Sequence, residues 1–89
     1  AFTNQGEICL CGSRILVERS IYDRFRADFV ARVAALKVGD PEDDAVDLGA
    51  IASETHFNTV MGYMQLAQEE GGRILTGGTA VPGEGRCAG

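Results

Sequence analysis

The sequence predicts an α/β arrangement of strand, helix, loop, helix and strand, and three observations along its 89 residues carry that expectation. A short aliphatic run between charges, Arg14-Ile15-Leu16-Val17-Glu18, suits a strand buried on both faces better than an amphipathic helix. Two longer stretches repeat apolar residues every three or four positions, as one face of a helix does. A second short aliphatic run, Arg73-Ile74-Leu75-Thr76, follows the later of these stretches.

Taken in order, residues 2–13 form an opening loop and about 14–18 the first strand. Ser20 then precedes Ile21-Tyr22-Asp23, so its hydroxyl is placed to accept a free backbone N–H in the first turn of a helix spanning about 21–37. Ile21, Phe25, Phe29, Val33 and Leu36 make its apolar stripe. Asp28 and Arg32 lie outside that stripe at the spacing of an i,i+4 ion pair. Lys37 suits the negative end of the helix dipole, Gly39 is positioned for a left-handed cap, and Pro41 stops continuation.

Glu42-Asp43-Asp44-Ala45-Val46-Asp47 is an acidic connection without apolar period and reads as loop, after which Leu48 to Ala52 returns to buried surface. A second helix, about 54–70, starts after Ser53, carries Phe57, Val60, Met61, Met64 and Ala67 on one side, and ends before Gly71-Gly72. The second strand is expected at about 73–76. From Gly77 to Gly89 the chain is rich in Gly and reads as loop.

Composition narrows the function classes. Hydrophobic content of 45% and charged content of 24% are those of a folded soluble protein, and no long apolar run or basic leader marks a membrane span or signal peptide. A net charge of −5, with no clustered Lys and Arg, argues against a nucleic-acid partner. The three cysteines are an odd number, and Cys9 and Cys11 are too close for an unstrained structural disulfide. A reducing, cytoplasmic setting is therefore expected. One distant His beside a Cys-x-Cys spacing makes no recognised zinc pattern, so no metal is expected. The glycines after Gly71 lack the spacing of a phosphate-binding loop.

The opening residues, Phe2-Thr3-Asn4-Gln5-Gly6-Glu7-Ile8-Cys9-Leu10-Cys11-Gly12-Ser13, carry the sharpest signal. They combine an aromatic residue seven positions before a cysteine, Gly-Glu before a free position, then the cysteine, an aliphatic residue, a small residue and a hydroxyl. This pattern resembles the active-site cysteine segment of the aldehyde dehydrogenase superfamily. Ser13-Arg14-Ile15-Leu16-Val17-Glu18, Val38-Gly39-Asp40-Pro41, Leu48-Gly49-Ala50-Ile51 and the His56 region are similar in order and spacing to that family's catalytic domain. Within the superfamily, Asn4 to Ile15 and Lys37 to Pro41 look most like the 2-aminomuconic and 2-hydroxymuconic semialdehyde dehydrogenases.

The resemblance implies that residues 1–89 are part of a catalytic domain, incomplete as a domain, from an enzyme several times longer. The chain opens inside the motif without an initiating Met and stops at Arg86-Cys87-Ala88-Gly89, where the family would enter another strand, which fits that expectation. It further implies oxidation of an aldehyde or semialdehyde to an acid with NAD or NADP, in a parent enzyme that is a homo-oligomer. Cys9 stands in the nucleophile's place, and its thiolate would form a thiohemiacetal and then a thioester. The resemblance makes the Cys9 backbone N–H one oxyanion donor, the other being an upstream Asn amide, and makes an upstream Glu the general base. Ile8 and Leu10 would touch substrate, and His56 would approach the cofactor's adenosine ribose. Thr59 departs from the basic residue some relatives carry one turn further on.

Three residues invite other roles. Asn4 is read as structural in the loop, Glu7 as holding the turn, and Cys11, where the family puts a small residue, as packing. Cys87 receives no role. By itself the chain is expected to be inactive. The rival reading is a non-catalytic gene remnant, or a fragment whose exposed apolar faces mediate self-association.

Overall fold

The computed structural model describes residues 1–82. Two α-helices dominate them: α1, Tyr22–Ala34, and α2, Glu54–Glu69. A 3₁₀ turn at Arg19–Ile21 leads into α1, and a second, irregular turn occupies Thr3–Gly6. The helices do not pack on one another. No described residue is fully buried, and the radius of gyration is 14.3 Å, against about 12 Å for a compact domain of this length.

α2 is bounded by local chemistry at both ends. Ser53 is its N-cap, and the hydroxyl oxygen accepts the His56 N–H at 3.1 Å. At the other end Gly71, at φ 94°, donates to the Gln68 carbonyl at 3.1 Å, and Gly72 donates to the Ala67 carbonyl at 2.7 Å. That pair of bonds is a Schellman motif, and its left-handed residue is a glycine because a Cβ is disfavoured there.

α1 departs from the sequence expectation at both ends. Ser20 does not cap it; the hydroxyl donates instead to Glu18 Oε1 at 2.6 Å, and the first residue before the helix, Ile21, offers no side-chain cap. The helix ends at Ala34, short of residue 37, because Lys37 is drawn into a tertiary contact. Its N–H donates to Asp47 Oδ2 at 2.8 Å, and its carbonyl accepts the Asp47 and Leu48 N–H groups at 2.8 and 3.1 Å. Gly39 accordingly has no left-handed φ, and its N–H donates to the Leu48 carbonyl at 2.9 Å. Asp28 and Arg32 form no ion pair; on the same helix Arg26 lies 5.6 Å above the Tyr22 ring. Phe25 stacks on Phe29 at 5.6 Å, and Phe29 meets Phe2 of the opening segment at 6.2 Å, which brings that segment to the apolar side of α1.

The two expected strands are not present. Among the described residues the sole β-type pairing is an isolated parallel bridge between Val38 and Leu48, and neither 14–18 nor 73–76 joins a ladder. A strand exists by exchanging backbone hydrogen bonds with a neighbour, and nothing among the described residues lies opposite either run. Leu16 and Ile15, expected to be buried on two faces, are 89% and 49% exposed. The described architecture is therefore helical, not the strand-helix-loop-helix-strand order.

The acidic connection is ordered by its own carboxylates. Asp40 Oδ1 accepts the Glu42 N–H at 3.0 Å, Asp43 Oδ1 accepts the Ala45 N–H at 2.9 Å, and the backbone bonds Asp43 to Asp40 and Val46 to Asp43 close successive turns. These turns bring Asp47 and Leu48 back beside Lys37 and Val38. From there Leu48 to Ile51 runs, half-buried, to the start of α2. No helix among the described residues is long and apolar enough to cross a membrane.

Candidate active-site loop

Residues 2–13 have little regular structure and take their shape from a few specific bonds. Asn4 and Gln5 sit at φ 52° and 56°, followed by Gly6 at 76°. Left-handed backbone costs a non-glycine residue roughly 1–2 kcal/mol, and Asn tolerates it better than most because its short polar side chain bonds locally. Three such residues in a row reverse the chain tightly enough for the Glu7 N–H to donate to the Asn4 carbonyl at 3.0 Å. A second turn follows at once, with the Cys11 N–H donating to the Ile8 carbonyl at 3.0 Å. Cys9 occupies the second position of that turn.

The two cysteines face different surroundings. Cys9 is exposed, and nothing among the described residues accepts its backbone N–H. Cys11 is half-buried, and its thiol donates to the Thr3 carbonyl at 3.7 Å, closing the loop on its inner side. Ile8 and Leu10 flank Cys9, at 38% and 86% exposed. Cys87 lies outside the described residues.

Two side chains of the loop reach the stretch before α2. With its amide turned so that the nitrogen donates to the Asn4 carbonyl at 2.9 Å, the Gln5 side-chain oxygen accepts the Gly49 N–H at 3.1 Å. Glu7 Oε1 accepts the Ala52 N–H at 3.4 Å and lies 3.3 Å from His56 Nε2. Sequence reasoning assigned Glu7 to the turn alone and gave Gln5 no role. Their partners are 45 and 44 positions further along, and no periodicity or spacing signals such a pairing.

The structure thus brings His56 to the loop that holds Cys9, through Glu7, while Ile8 and Leu10 have only their chain proximity to Cys9. An apolar hollow of about 200 Å³ lies alongside, lined by Phe2 and Gln5 of the loop, by Leu48, and by Phe57, Met61 and Met64 of α2. Cys9, Ile8 and Leu10 are not part of its lining. Thr59 turns its hydroxyl back onto the Thr55 carbonyl at 3.0 Å within α2. Among the described residues no three His, Cys, Asp or Glu side chains gather as metal ligands would.

A dinucleotide needs a cradle of N–H donors for its pyrophosphate and acceptors for its ribose hydroxyls. The described residues do not fit that requirement. The first turn of α2 is closed by the Ser53 cap, and His56 commits Nε2 to Glu7, which leaves one imidazole nitrogen as a lone contact.

Comparison with known proteins gives this geometry its context. A model of the aldehyde dehydrogenase family matches residues 1–88. An aldehyde dehydrogenase of Vibrio cholerae is 45% identical over 78 residues, which are 88% of this chain and 15% of that protein. A 2-aminomuconic semialdehyde dehydrogenase of Mus musculus is 51% identical over 77 residues, 86% of this chain and 16% of its own length. An acetaldehyde dehydrogenase of Pseudomonas aeruginosa is 43% identical over 88 residues, 99% of this chain and 17% of its own. The chain spans about a sixth of the length of the curated relatives it matches. With the family match running over nearly every residue, the cysteine loop and both helices included, the chain belongs to the aldehyde dehydrogenase family.

Proposed function

We propose that this chain supplies the nucleophile of an NAD- or NADP-dependent aldehyde oxidation, and that the nucleophile is Cys9. The observation that carries the reading is the contrast between the two thiols. Cys9 is exposed at the second position of a tight turn and its backbone N–H meets no acceptor among the described residues, whereas Cys11 is turned inward onto Thr3.

The chemistry follows from that arrangement. The Cys9 thiolate adds to the carbonyl carbon, a C–S bond forms, and the π electrons move to oxygen, where the Cys9 N–H is available to the new oxyanion. A nicotinamide dinucleotide, where bound by the whole enzyme, would supply the hydride acceptor that this oxidation requires; the part of this chain is to hold the carbon on the Cys9 sulfur before and after that oxidation. Water then attacks the acyl carbon, the C–S bond breaks, and the acid and the thiolate are released. Ile8 and Leu10, adjoining the sulfur, are the residues we assign to the aldehyde's apolar part. His56 is assigned a single contact with the cofactor's ribose. The described residues do not cradle a dinucleotide, so its binding falls to other parts of the enzyme.

Relatives named for 2-aminomuconic semialdehyde favour a semialdehyde as the substrate. The base that activates water is not among the residues of the loop, since Glu7 is committed to Ala52 and His56. The 89-residue chain alone should therefore take up an acyl group on Cys9 without turning over.

An acyl donor that needs no hydride acceptor tests this directly. Incubation with p-nitrophenyl acetate should place an acetyl group on Cys9, found by fragmenting the peptide that contains both thiols, and Cys9→Ala should abolish it. Acetyl distributed equally over Cys9 and Cys11, or found mainly on Cys11, would refute the assignment.

A further inference from the structure

We propose that Glu7 is a positioning residue for the Cys9 thiol, acting by fastening the cysteine loop to the N-terminal turn of α2 through the Ala52 N–H and the His56 imidazole. The inference rests on the reading of Cys9 as the nucleophile. The hydrogen-bonding partners of the Glu7 carboxylate are Ala52 and His56 and not a thiol, so its effect passes through the backbone of the loop.

Three observations converge on it. The loop holds three consecutive residues at positive φ, from Asn4 to Gly6, a conformation that persists only where surrounding contacts over-determine it. The loop has no fully buried residue and, among the described residues, no sheet partner to impose that conformation. Among the described residues its polar attachments to the rest of the chain are two, Gln5 on Gly49 and Glu7 on Ala52 and His56.

Of the two, Glu7 is nearer to Cys9 along the chain. It closes the left-handed turn with its own N–H and directly precedes Ile8, whose carbonyl closes the turn around Cys9. Its anchor is also rigid. The imidazole that faces it belongs to a residue whose N–H is already held by the Ser53 cap, and Ala52 adjoins that cap. One carboxylate oxygen, Oε1, therefore ties the backbone on which Cys9 sits to the start of a 16-residue helix. Cutting the attachment lets the strained turn relax, and the position of the thiol relaxes with it.

Competitive alkylation by iodoacetamide, read at each thiol by mass spectrometry, gives the ratio of the Cys9 rate to the Cys11 rate within one sample. In the unaltered chain that ratio should exceed one. Glu7→Ala should lower it roughly fivefold, the factor that one net hydrogen bond is worth. Glu7→Gln keeps an acceptor oxygen at the same reach and should bring the ratio back to within about twofold of the original. An unchanged ratio in Glu7→Ala overturns the proposal, and so does a Glu7→Gln variant that behaves like Glu7→Ala, since the residue would then act through charge and not attachment.

If Glu7→Ala loses its helical circular dichroism, His56→Ala is the substitute. It removes one anchor from an exposed side chain and leaves the Ser53 cap in place. A fall in the ratio supports the proposal, and no change overturns it. A ratio of one in the unaltered chain sinks the reading of Cys9 itself, and the inference with it.

Discussion

The thiol of Cys11 lies 3.7 Å from the carbonyl oxygen of Thr3, so the loop that presents Cys9 is closed from within by the other cysteine of the Cys-x-Cys pair. The residues on either side of Leu10 thus do different things: one sulfur spans the inside of the loop, and the other is left to solvent. A buried-side thiol of this kind behaves as a small apolar residue with a weak donor.

Cys11→Ala should therefore leave acetylation at Cys9 within about twofold of the unaltered chain, because a weak S–H donor contributes little to the loop's geometry. Rates of p-nitrophenolate release, with the site of the acetyl group checked by mass spectrometry, measure this. A loss as complete as that in Cys9→Ala would mean that the two thiols act together.

Ser53→Ala should destabilise α2 by about 1 kcal/mol, the usual worth of an N-cap, and Ser53→Asp should recover most of it. The His56 N–H loses its acceptor in the first variant and keeps one in the second. Circular dichroism against temperature gives the helical fraction of each. Equal helicity in all three chains would show that the cap bond carries no weight.

Gly71→Ala should cost about 1 kcal/mol at the far end of the same helix, since its φ of 94° is one that a Cβ disfavours. Gly72→Ala should cost at least as much, for a different reason: a Cβ there would stand 2.7 Å from the Ala67 carbonyl oxygen, and backbone atoms must move to admit it. Amide exchange at residues 71 and 72 should quicken in both variants, and unaltered protection would count against the Schellman closure.

Asp47→Ala should expose the Lys37 amide, which at present donates to the carboxylate at 2.8 Å. The expected loss is about 1 kcal/mol, at the low end for a charged acceptor because both residues are exposed. It should appear as faster hydrogen exchange at Lys37, Gly39 and Leu48, while α2 is unaffected. If freed from Asp47, residues 35–37 can also rejoin α1, which would lengthen the helix toward the extent its apolar stripe suggests.

Much of the helical content was legible from residues a few positions apart. The stripe from Phe25 to Val33, the hydroxyl at Ser53 and the paired glycines at 71 and 72 act through contacts three to five positions apart, which a linear sequence displays directly. The Cys9 motif was legible for another reason, since its spacing resembles a known active-site segment. Ser20 misled because a hydroxyl before a helix has more than one partner within reach, and this one donates to Glu18.

By itself, then, the sequence determined which stretches wind into helices, how α2 is closed at both ends, and which cysteine the family motif marks. Only the tertiary structure decided that Lys37 leaves α1 for Asp47, that Ile15 to Val17 finds no strand to pair with among the described residues, and that Glu7 meets His56 across 49 positions of chain. The division has a physical cause. Helical hydrogen bonds and caps close within one turn, so their partners are neighbours in sequence. A strand and a side-chain tether each need a partner from elsewhere, and whether one is present is a property of the assembled chain.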